Sequence, residues 1–250
     1  MPYFFLLFFA LAPSVIWLLF YLRKDAHPES NSTVLKIFFL GAASAIAAAF
    51  TEYIIAGALN NVANLDKAIF AFLYWFLAIA MVEEFFKYLV VSSQIFRSEH
   101  LDEPLDLMLY MIISALGFAA LENVLIFFSL KTPLDFWQGA AVSIFRFLGA
   151  TLLHALASGL FGYFLVVRFY EAKRKLRYFF AGLFSAVVFH GLFNLSIANP
   201  KLMYKSFGGI INENGVFKFI IPIIILSSLA FFVSYGFKKV KNFKGICKIK

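Results

Sequence analysis

Apolar residues fill long stretches of this chain, and short polar connectors separate them. A helix of roughly 20 apolar residues is long enough to cross the hydrocarbon core of a bilayer. Seven stretches have this character, and each predicts a membrane-spanning helix: Tyr3–Leu22, Val34–Ile55, Lys67–Phe96, Leu105–Leu130, Phe136–Val167, Tyr178–Ala198 and Val216–Phe237. The pattern therefore predicts an all-α membrane protein, a polytopic helical bundle of about seven transmembrane helices forming one integral-membrane domain over residues 1–250.

Composition supports the same class. The chain has 250 residues, of which 62% are hydrophobic and 14% charged, whereas a soluble domain has about 45–50% apolar and about 25% charged residues. A soluble enzyme, a disordered chain and a nucleic-acid binder are thereby excluded as classes, despite the net charge of +8. We expect the lipid bilayer as a partner and no nucleic acid. With Cys247 as its one cysteine, the chain cannot form an intrachain disulfide or a cysteine metal cluster.

The basic residues of the connectors predict the orientation. Successive connectors lie on alternate sides of the membrane. Those on one side carry 15 Lys and Arg and those on the other carry 5, while Lys87 and Arg146 lie within predicted spans. Cytoplasmic connectors carry the excess of basic residues in membrane proteins. We therefore expect a multi-pass protein of the cell membrane with its N-terminus outside and its C-terminus in the cytoplasm.

Several polar residues interrupt the apolar spans. A charged side chain at the bilayer centre costs roughly 2.5–3.5 kcal/mol on insertion scales, so each needs a reason to be there. The residues concerned lie in four different spans, and their acid, imidazole and amide groups lie at similar predicted depth, where they can converge on one buried polar site. They are Glu83, Glu84, Lys87, Glu122, Asn123, Arg146, His154, His190 and Asn194.

Each of these residues also has a purely structural interpretation. Glu83 and Lys87, four residues apart on a helix, could form a neutralising ion pair. Asn123 and Asn194 could be hydrogen-bonding contacts between helices, a common role for buried amides. His154 could be a packed, hydrogen-bonded histidine.

Two residues lie nearer the outer ends of their spans. Arg146 could extend to the interface or pair with an acid, and Glu52 could be interfacial or support the polar site from the second span. Packing alone explains poorly why acids, imidazoles and amides should share one depth. The coincidence favours a functional site.

The residue types favour hydrolysis. Two adjacent buried glutamates repel each other, so one is expected to be protonated while the other acts as a base. A glutamate base can activate water, and imidazole and amide donors can stabilise the oxyanion formed on a peptide carbonyl. The chain contains neither an H-E-x-x-H zinc motif nor a G-x-S-x-G nucleophile elbow. We expect no cofactor, but zinc bound by Glu84, His154 and His190 stays open, because the sequence does not separate metal binding from metal-free glutamate catalysis.

With these polar residues the chain resembles the PrsW family of intramembrane proteases, which is related to the CAAX-protease and bacteriocin-processing superfamily. The resemblance covers roughly residues 15 to 198, which leaves 216–250 as an extra C-terminal helix and basic cytoplasmic tail and 67–198 as the catalytic helix core. The motifs that carry it are E-E-x-x-K at Glu83, Glu84 and Lys87, F-x-x-x-E-N at Phe118, Glu122 and Asn123, His154 followed by Gly159, H-x-x-x-N at His190 and Asn194, and the segment Asp102–Asp106.

The resemblance implies a multi-pass protease that cleaves a membrane-anchored protein, such as an anti-sigma factor, in a signalling pathway. It implies that Glu83 and Glu84 are the essential acids and that His154 and His190 are catalytic or oxyanion-stabilising histidines. Asn194 would be an oxyanion-binding or orienting amide.

Glu122, also implied to be catalytic, replaces a histidine of the related CAAX proteases, and Lys87 replaces their arginine. These differences weaken any transfer of prenyl-protein chemistry. Supporting roles fall to Lys87, Asn123, Phe118 and Arg146.

Three other functions stay open at this point. One is a CAAX-type protease acting on lipidated peptides or in bacteriocin maturation. A second is a proton-coupled transporter, in which acids and histidines at the midplane relay protons. The third is a non-catalytic membrane binding protein.

Overall fold

The computed structural model describes residues 2–25, 28–62, 65–96, 98, 100–130, 134–170, 174–198, 219–241 and 243, which are helical almost throughout and contain no strand. Seven helical runs in these ranges are long and apolar enough to cross a membrane, which confirms the predicted fold class. The helices are α1 (Tyr3–Leu22), α2 (Asn31–Asn60), α3 (Lys67–Gln94), α4 (Pro104–Ser129), α5 (Phe136–Leu148), α6 (Ala150–Tyr170), α7 (Lys175–Ala198) and α8 (Ile220–Val240).

The fifth predicted span is two helices rather than one. α5 ends at Leu148 and α6 begins at Ala150, and Gly149 between them leaves the helical conformation with φ −103° and ψ −100°. A Cβ at this position would lie 2.7 Å from the carbonyl oxygen of Phe145. The break is thus made at a residue that has no side chain, and an apolar run does not reveal it.

Most other span boundaries differ from the predicted ones by a few residues. α2 begins at Asn31 rather than Val34 because the Ser30 hydroxyl accepts a hydrogen bond from the amide of Thr33 at 3.2 Å. α8 is displaced along the chain relative to the predicted Val216–Phe237, and residues 216–218 lie outside the described residues.

α3 contains a π-helical segment that the sequence does not predict. The chain is α-helical over Lys67–Phe72, π-helical over Leu73–Met81 and α-helical again from Val82. π-helical turns are rare and frequently lie at functional sites. This one ends two residues before Glu83. Its Phe76 ring packs on Gly191 of α7, where a Cβ would lie 2.7 Å from the ring.

α4 is the central helix of the bundle. Its residues from Pro104 to Ala120 are buried without interruption, and it packs mainly against α2, α6 and α1. Small residues permit the closest of these contacts, because a Cβ on Gly117 would overlap the carbonyl oxygen of Phe38 and one on Gly41 would overlap that of Ser114. Such close backbone approaches are typical of helices packed within membranes.

The outer surface of the bundle is apolar. Large side chains such as Phe39, Phe50 and Phe231 are each about two-thirds exposed, and they lie on helices long enough to span a bilayer. Exposed apolar side chains in this number would be costly in water and are stable against lipid. The protein is a multi-pass integral membrane protein.

Candidate active site

Lys87 lies at the centre of the buried polar cluster. Its side chain is completely buried, and its ammonium group donates hydrogen bonds to Glu83 Oε2 at 3.2 Å and Glu84 Oε1 at 2.8 Å. Both glutamates are on α3, one turn before the lysine, as the helical spacing predicts. The Nζ atom also lies 2.8 Å from His154 Nδ1 on α6 and 4.5 Å from the centre of the Phe118 ring on α4. This one cation therefore connects three helices.

His154 is held by a carboxylate on the side away from Lys87. Its Nε2 atom lies 2.9 Å from Glu122 Oε2 on α4. We assign the proton to Nε2, because an ionised carboxylate can only accept a hydrogen bond. Nδ1 then carries a lone pair, which agrees with its contact to the Lys87 ammonium group.

Arg146 extends this network toward the end of α5. It forms an ion pair with Glu122 at 2.8 Å and donates a second hydrogen bond to the Asn123 side-chain oxygen. Asn123 in turn donates to the Thr151 hydroxyl at 3.2 Å. Arg146 pairs with an acid, which was one of the two interpretations of its position in the sequence. The arrangement fixes Glu122 against His154.

His190 is held by the other glutamate. Its Nδ1 atom lies 2.9 Å from Glu84 Oε1, and the Ser158 hydroxyl donates to Glu84 Oε2 at 2.6 Å. Glu84 is completely buried, and both of its oxygens accept hydrogen bonds from the set Lys87, His190 and Ser158. Glu84 is therefore placed to orient its neighbours.

Three donor atoms face one another at the centre of this arrangement. Glu83 Oε2 lies 3.6 Å from His154 Nδ1 and 3.7 Å from His190 Nε2, and all three atoms are within 4.8 Å of one another. Ligands of a tetrahedral zinc ion lie about 3.4 Å apart, given bond lengths of about 2.1 Å. The donor set and its spacing thus fit a zinc ion.

The geometry changes one member of the zinc set considered from the sequence. The residue grouped with the two histidines is Glu83 rather than Glu84. The two glutamates are adjacent in the chain, so helical spacing alone does not separate them. Lys87 Nζ contacts the same atoms of Glu83 and His154, so that an ion and the ammonium group would compete for them.

Exposure increases in one direction across the cluster. The side chain of Glu84 is 0% exposed, that of Glu83 8% and that of Glu122 31%. Arg146, beside Glu122, is 15% exposed. The Glu122 side is thus the most exposed part of the cluster.

Two predicted site residues, Asn194 and Phe118, differ from the others in how they contact the cluster. Asn194 is half-buried one turn beyond His190, and within the described part of the chain it forms no hydrogen bond with the other site residues. Its role as an oxyanion-binding amide stays a prediction. Phe118 contributes through its ring, packed against both Lys87 and His154.

Sequence reasoning missed two hydroxyl groups. Ser158 bonds Glu84, and Thr151 bonds Asn123. Both lie on α6 within about one turn of His154, at positions i+4 and i−3, and this shared helix face is the signal that could have found them.

Comparison with known proteins identifies the family. Residues 29–237 match a family described as "PrsW family intramembrane metalloprotease". Protease PrsW of Geobacillus kaustophilus is 29% identical over 195 residues, covering 77% of this chain and 80% of the relative. Protease PrsW of Bacillus subtilis is 24% identical over 240 residues, covering 94% of each chain.

No solved structure matches the chain. The family match extends well beyond Ala198 and includes most of α8, so it reaches further than the motifs in the sequence indicated. It also contains every residue of the buried polar cluster. This chain belongs to the PrsW family of intramembrane proteases.

Proposed function

We propose that the protein hydrolyses a peptide bond of a membrane-anchored protein at the cluster of Glu83, His154 and His190, with a zinc ion held by these three residues. The observation that supports this most strongly is the convergence of one carboxylate oxygen and two imidazole nitrogens within 4.8 Å inside the bundle. Two histidines and one glutamate form the zinc site of several hydrolytic enzymes. The description of the matching family as metalloproteases agrees with this choice.

The residues behind the two histidines support the same proposal. Glu122 accepts a hydrogen bond from His154 Nε2, and Glu84 accepts one from His190 Nδ1. Histidine ligands of metals almost always donate their second N–H to a carboxylate, carbonyl or water, which fixes the ring and raises its basicity. Both imidazoles therefore present a lone pair to the centre of the cluster. A zinc ion bound there would act as a Lewis acid on the substrate carbonyl and on water.

Lys87 and Arg146 offset most of the buried negative charge. The cluster contains the carboxylates of Glu83, Glu84 and Glu122, and an unpaired charge in this environment would be strongly unfavourable. Lys87 is shared between Glu83 and Glu84, and Arg146 pairs with Glu122, so the two cations offset two of the three negative charges. We propose that Arg146, at the more exposed end, together with Asn194 also stabilises the oxyanion that develops on the peptide carbonyl.

Glu52 is our candidate for the group that takes the proton from the attacking water. Its charge interacts with those of Glu83, Glu122 and Lys87. It lies on the face of α2 that carries Ala48, which packs with Val82, the residue before Glu83. Within the described residues Glu52 is half-buried and forms no ion pair, so its carboxylate is free to accept a proton.

The proposed substrate follows from where the cluster lies. A catalytic site enclosed by α3, α4, α6 and α7 within a membrane bundle is reached most directly by a polypeptide that is itself anchored in the bilayer. An anti-sigma factor is the substrate class that we propose within that group, on the resemblance alone. Its cleavage would begin a signalling response.

Comparative membrane proteomics tests the activity and identifies the substrate. We expect a cleavage fragment of one membrane-anchored protein in wild-type cells and its absence in cells carrying Glu83→Gln, at equal levels of the protease. Asp66→Asn is the matched control, since Asp66 caps the exposed start of α3 and asparagine caps as well. Identical fragments in all three strains would refute the assignment of the site.

Metal removal tests the zinc. Purified protein should lose activity on strong chelation and regain it with one equivalent of zinc. Full activity in protein shown to be metal-free would replace this mechanism with one in which a glutamate alone activates water.

A further inference from the structure

A cavity of about 450 Å³ opens on the side of the bundle between α1 and α8, with α6 as its floor. Both outer helices pack on α6, and they meet through the rings of Tyr21 and Phe237, whose centres are 6.1 Å apart. Leu152 and Leu156, one turn apart on α6, line the floor. His154 lies midway between them in the sequence, on the opposite face of α6, where it contacts the polar cluster. The cavity is therefore separate from the candidate active site.

One end of the cavity is basic. Lys24, Lys238 and Lys241 line it where α1 and α8 end, and all three are exposed. Residues 23–25 and 238–241, which include these lysines, contain five basic residues and one acidic residue. They lie at the end of the bundle that the sequence predicts to be cytoplasmic. The excess of positive charge there attracts an anionic group.

The rest of the lining is mostly apolar and extends into the membrane. Trp17 on α1 and Ala230 on α8 belong to its inner part. They precede Lys24 and Lys238 by seven and eight residues, which correspond to about 10 and about 12 Å along the two helices. The hydrocarbon of one leaflet is about 15 Å deep. The apolar part of the cavity thus covers most of the depth of one leaflet.

This combination matches the two parts of a phospholipid. Lysine ammonium groups bind phosphate as point charges, and basic pockets between membrane-spanning helices on the cytoplasmic side bind anionic headgroups. The cavity also opens toward the hydrocarbon, since the Phe20 ring at its edge is 44% exposed. A neutral lipid would use the apolar lining alone, and a soluble phosphate would use the lysines alone. An anionic lipid uses both.

We propose that this cavity binds an anionic phospholipid, with its phosphate group at Lys24, Lys238 and Lys241 and one acyl chain along Trp17 and Leu156. The bound lipid joins α1 to α8, the first and the last described helices of the chain, across their shared floor. Binding of the lipid is independent of the proposed peptidase activity.

Trp17 provides a fixed reporter at the cavity. Its Nε1 donates a hydrogen bond to the carbonyl oxygen of Phe147 at 2.9 Å, and its ring stacks on the Phe147 ring with centres 5.0 Å apart. The indole is thereby held in place beside the proposed acyl chain. Bromine atoms on that chain would contact the ring and quench its fluorescence.

Quenching by brominated phospholipids tests the site. Trp75→Phe and Trp137→Phe leave Trp17 as the remaining tryptophan, and the full-length protein is reconstituted in phosphatidylcholine vesicles. We expect brominated phosphatidylglycerol to quench Trp17 at about a ten-fold lower share of the lipid than brominated phosphatidylcholine, since each lysine contributes about a five-fold preference for anionic lipid. Excess glycerol phosphate, the soluble headgroup fragment, should leave the quenching unchanged because it lacks the acyl chain.

A pair of charge-matched variants locates the headgroup. Lys24→Gln together with Lys238→Gln should remove most of the preference for phosphatidylglycerol. Lys36→Gln together with Lys239→Gln should keep it, because these exposed lysines lie at the same end of the bundle and neither lines the cavity.

Native mass spectrometry of the wild-type protein gives a second readout without tryptophan substitutions. Protein released from vesicles with equal amounts of the two lipids should retain phosphatidylglycerol in preference. Equal quenching by the two lipids, as expected of a groove that takes any acyl chain or a partner helix, overturns the proposal. Displacement by glycerol phosphate, or equal loss of preference in the two variants, also overturns it, because the site would then be one for free phosphate or a general effect of surface charge.

Discussion

The Nε2 atom of His154 lies 2.9 Å from a carboxylate oxygen of Glu122, which belongs to the neighbouring helix. The same oxygen is 2.8 Å from Arg146, so that an arginine, a glutamate and a histidine form a continuous chain into the bundle. His190 and Glu84 repeat the relationship on the opposite side of the cluster. A histidine held this way has a fixed ring and a known tautomer before any ligand arrives.

The Glu122–His154 contact leads to the first prediction. Glu122→Gln replaces the charged carboxylate that accepts the His154 N–H with a neutral amide, and it removes the ion pair with Arg146. We expect zinc affinity to fall about 10- to 100-fold, as for other residues that orient a metal-binding histidine. Competition with a chromophoric chelator measures the Kd. An unchanged Kd would show that His154 does not bind the ion.

Substitution of the two adjacent glutamates should have different effects, on stability for Glu84 and on zinc binding for Glu83. Glu84 is completely buried with both oxygens bonded, and removing one member of a buried ion pair costs about 3–5 kcal/mol. We therefore expect Glu84→Gln to lower the Tm of metal-free protein by about 5 °C or more. Glu83→Gln should change that Tm much less and should abolish zinc binding.

Metal analysis and thermal unfolding of the two variants, made side by side, check this assignment. The reverse result, with stability lost in Glu83→Gln and zinc lost only in Glu84→Gln, would exchange the two roles. His190→Ala provides a third comparison, since it should lose zinc and cleavage together while Glu84 keeps Lys87 and Ser158 as partners.

Close packing of α2 on α4 gives a stability prediction. A methyl group on Gly117 would overlap the carbonyl oxygen of Phe38, which is backbone and cannot move aside cheaply. Gly117→Ala should therefore destabilise the protein by about 1–3 kcal/mol. Gly57→Ala is the matched control, because nothing lies within 4 Å of its added Cβ. There the better helix propensity of alanine should raise the Tm slightly or leave it unchanged.

The number of membrane-spanning helices and the Glu83–Glu84–Lys87 contacts were predictable because both depend on local periodicity. An apolar run of sufficient length specifies a span, and the i+3 and i+4 positions of a helix always meet. The shared depth of the polar residues likewise follows from where each lies in its span. Predicting these features does not require knowing how each helix is rotated about its own axis within the bundle.

The pairing of His154 with Glu122, and of His190 with Glu84, depends on that rotation. In a membrane bundle the lipid-facing and core-facing sides of a helix are both apolar, so hydrophobic periodicity does not specify which side turns inward. The same reasoning explains why the zinc set considered from the sequence contained Glu84, whereas the structure groups Glu83 with the two histidines. The break at Gly149 and the π-helical segment of α3 arise from packing of the assembled helices.

Glu52 provides the sharpest test of how the water is activated. If it accepts the proton, Glu52→Gln should lower kcat by about 10²- to 10⁴-fold, the usual contribution of a general base. Zinc content and KM should stay near their wild-type values, because Glu52 lies on α2 and is not among the three converging donors. Tyr53→Phe, at the neighbouring exposed position, controls for changes to the surface of α2. Zinc-loaded Glu52→Gln with a wild-type kcat would exclude this role and leave Glu83 as the acid to examine.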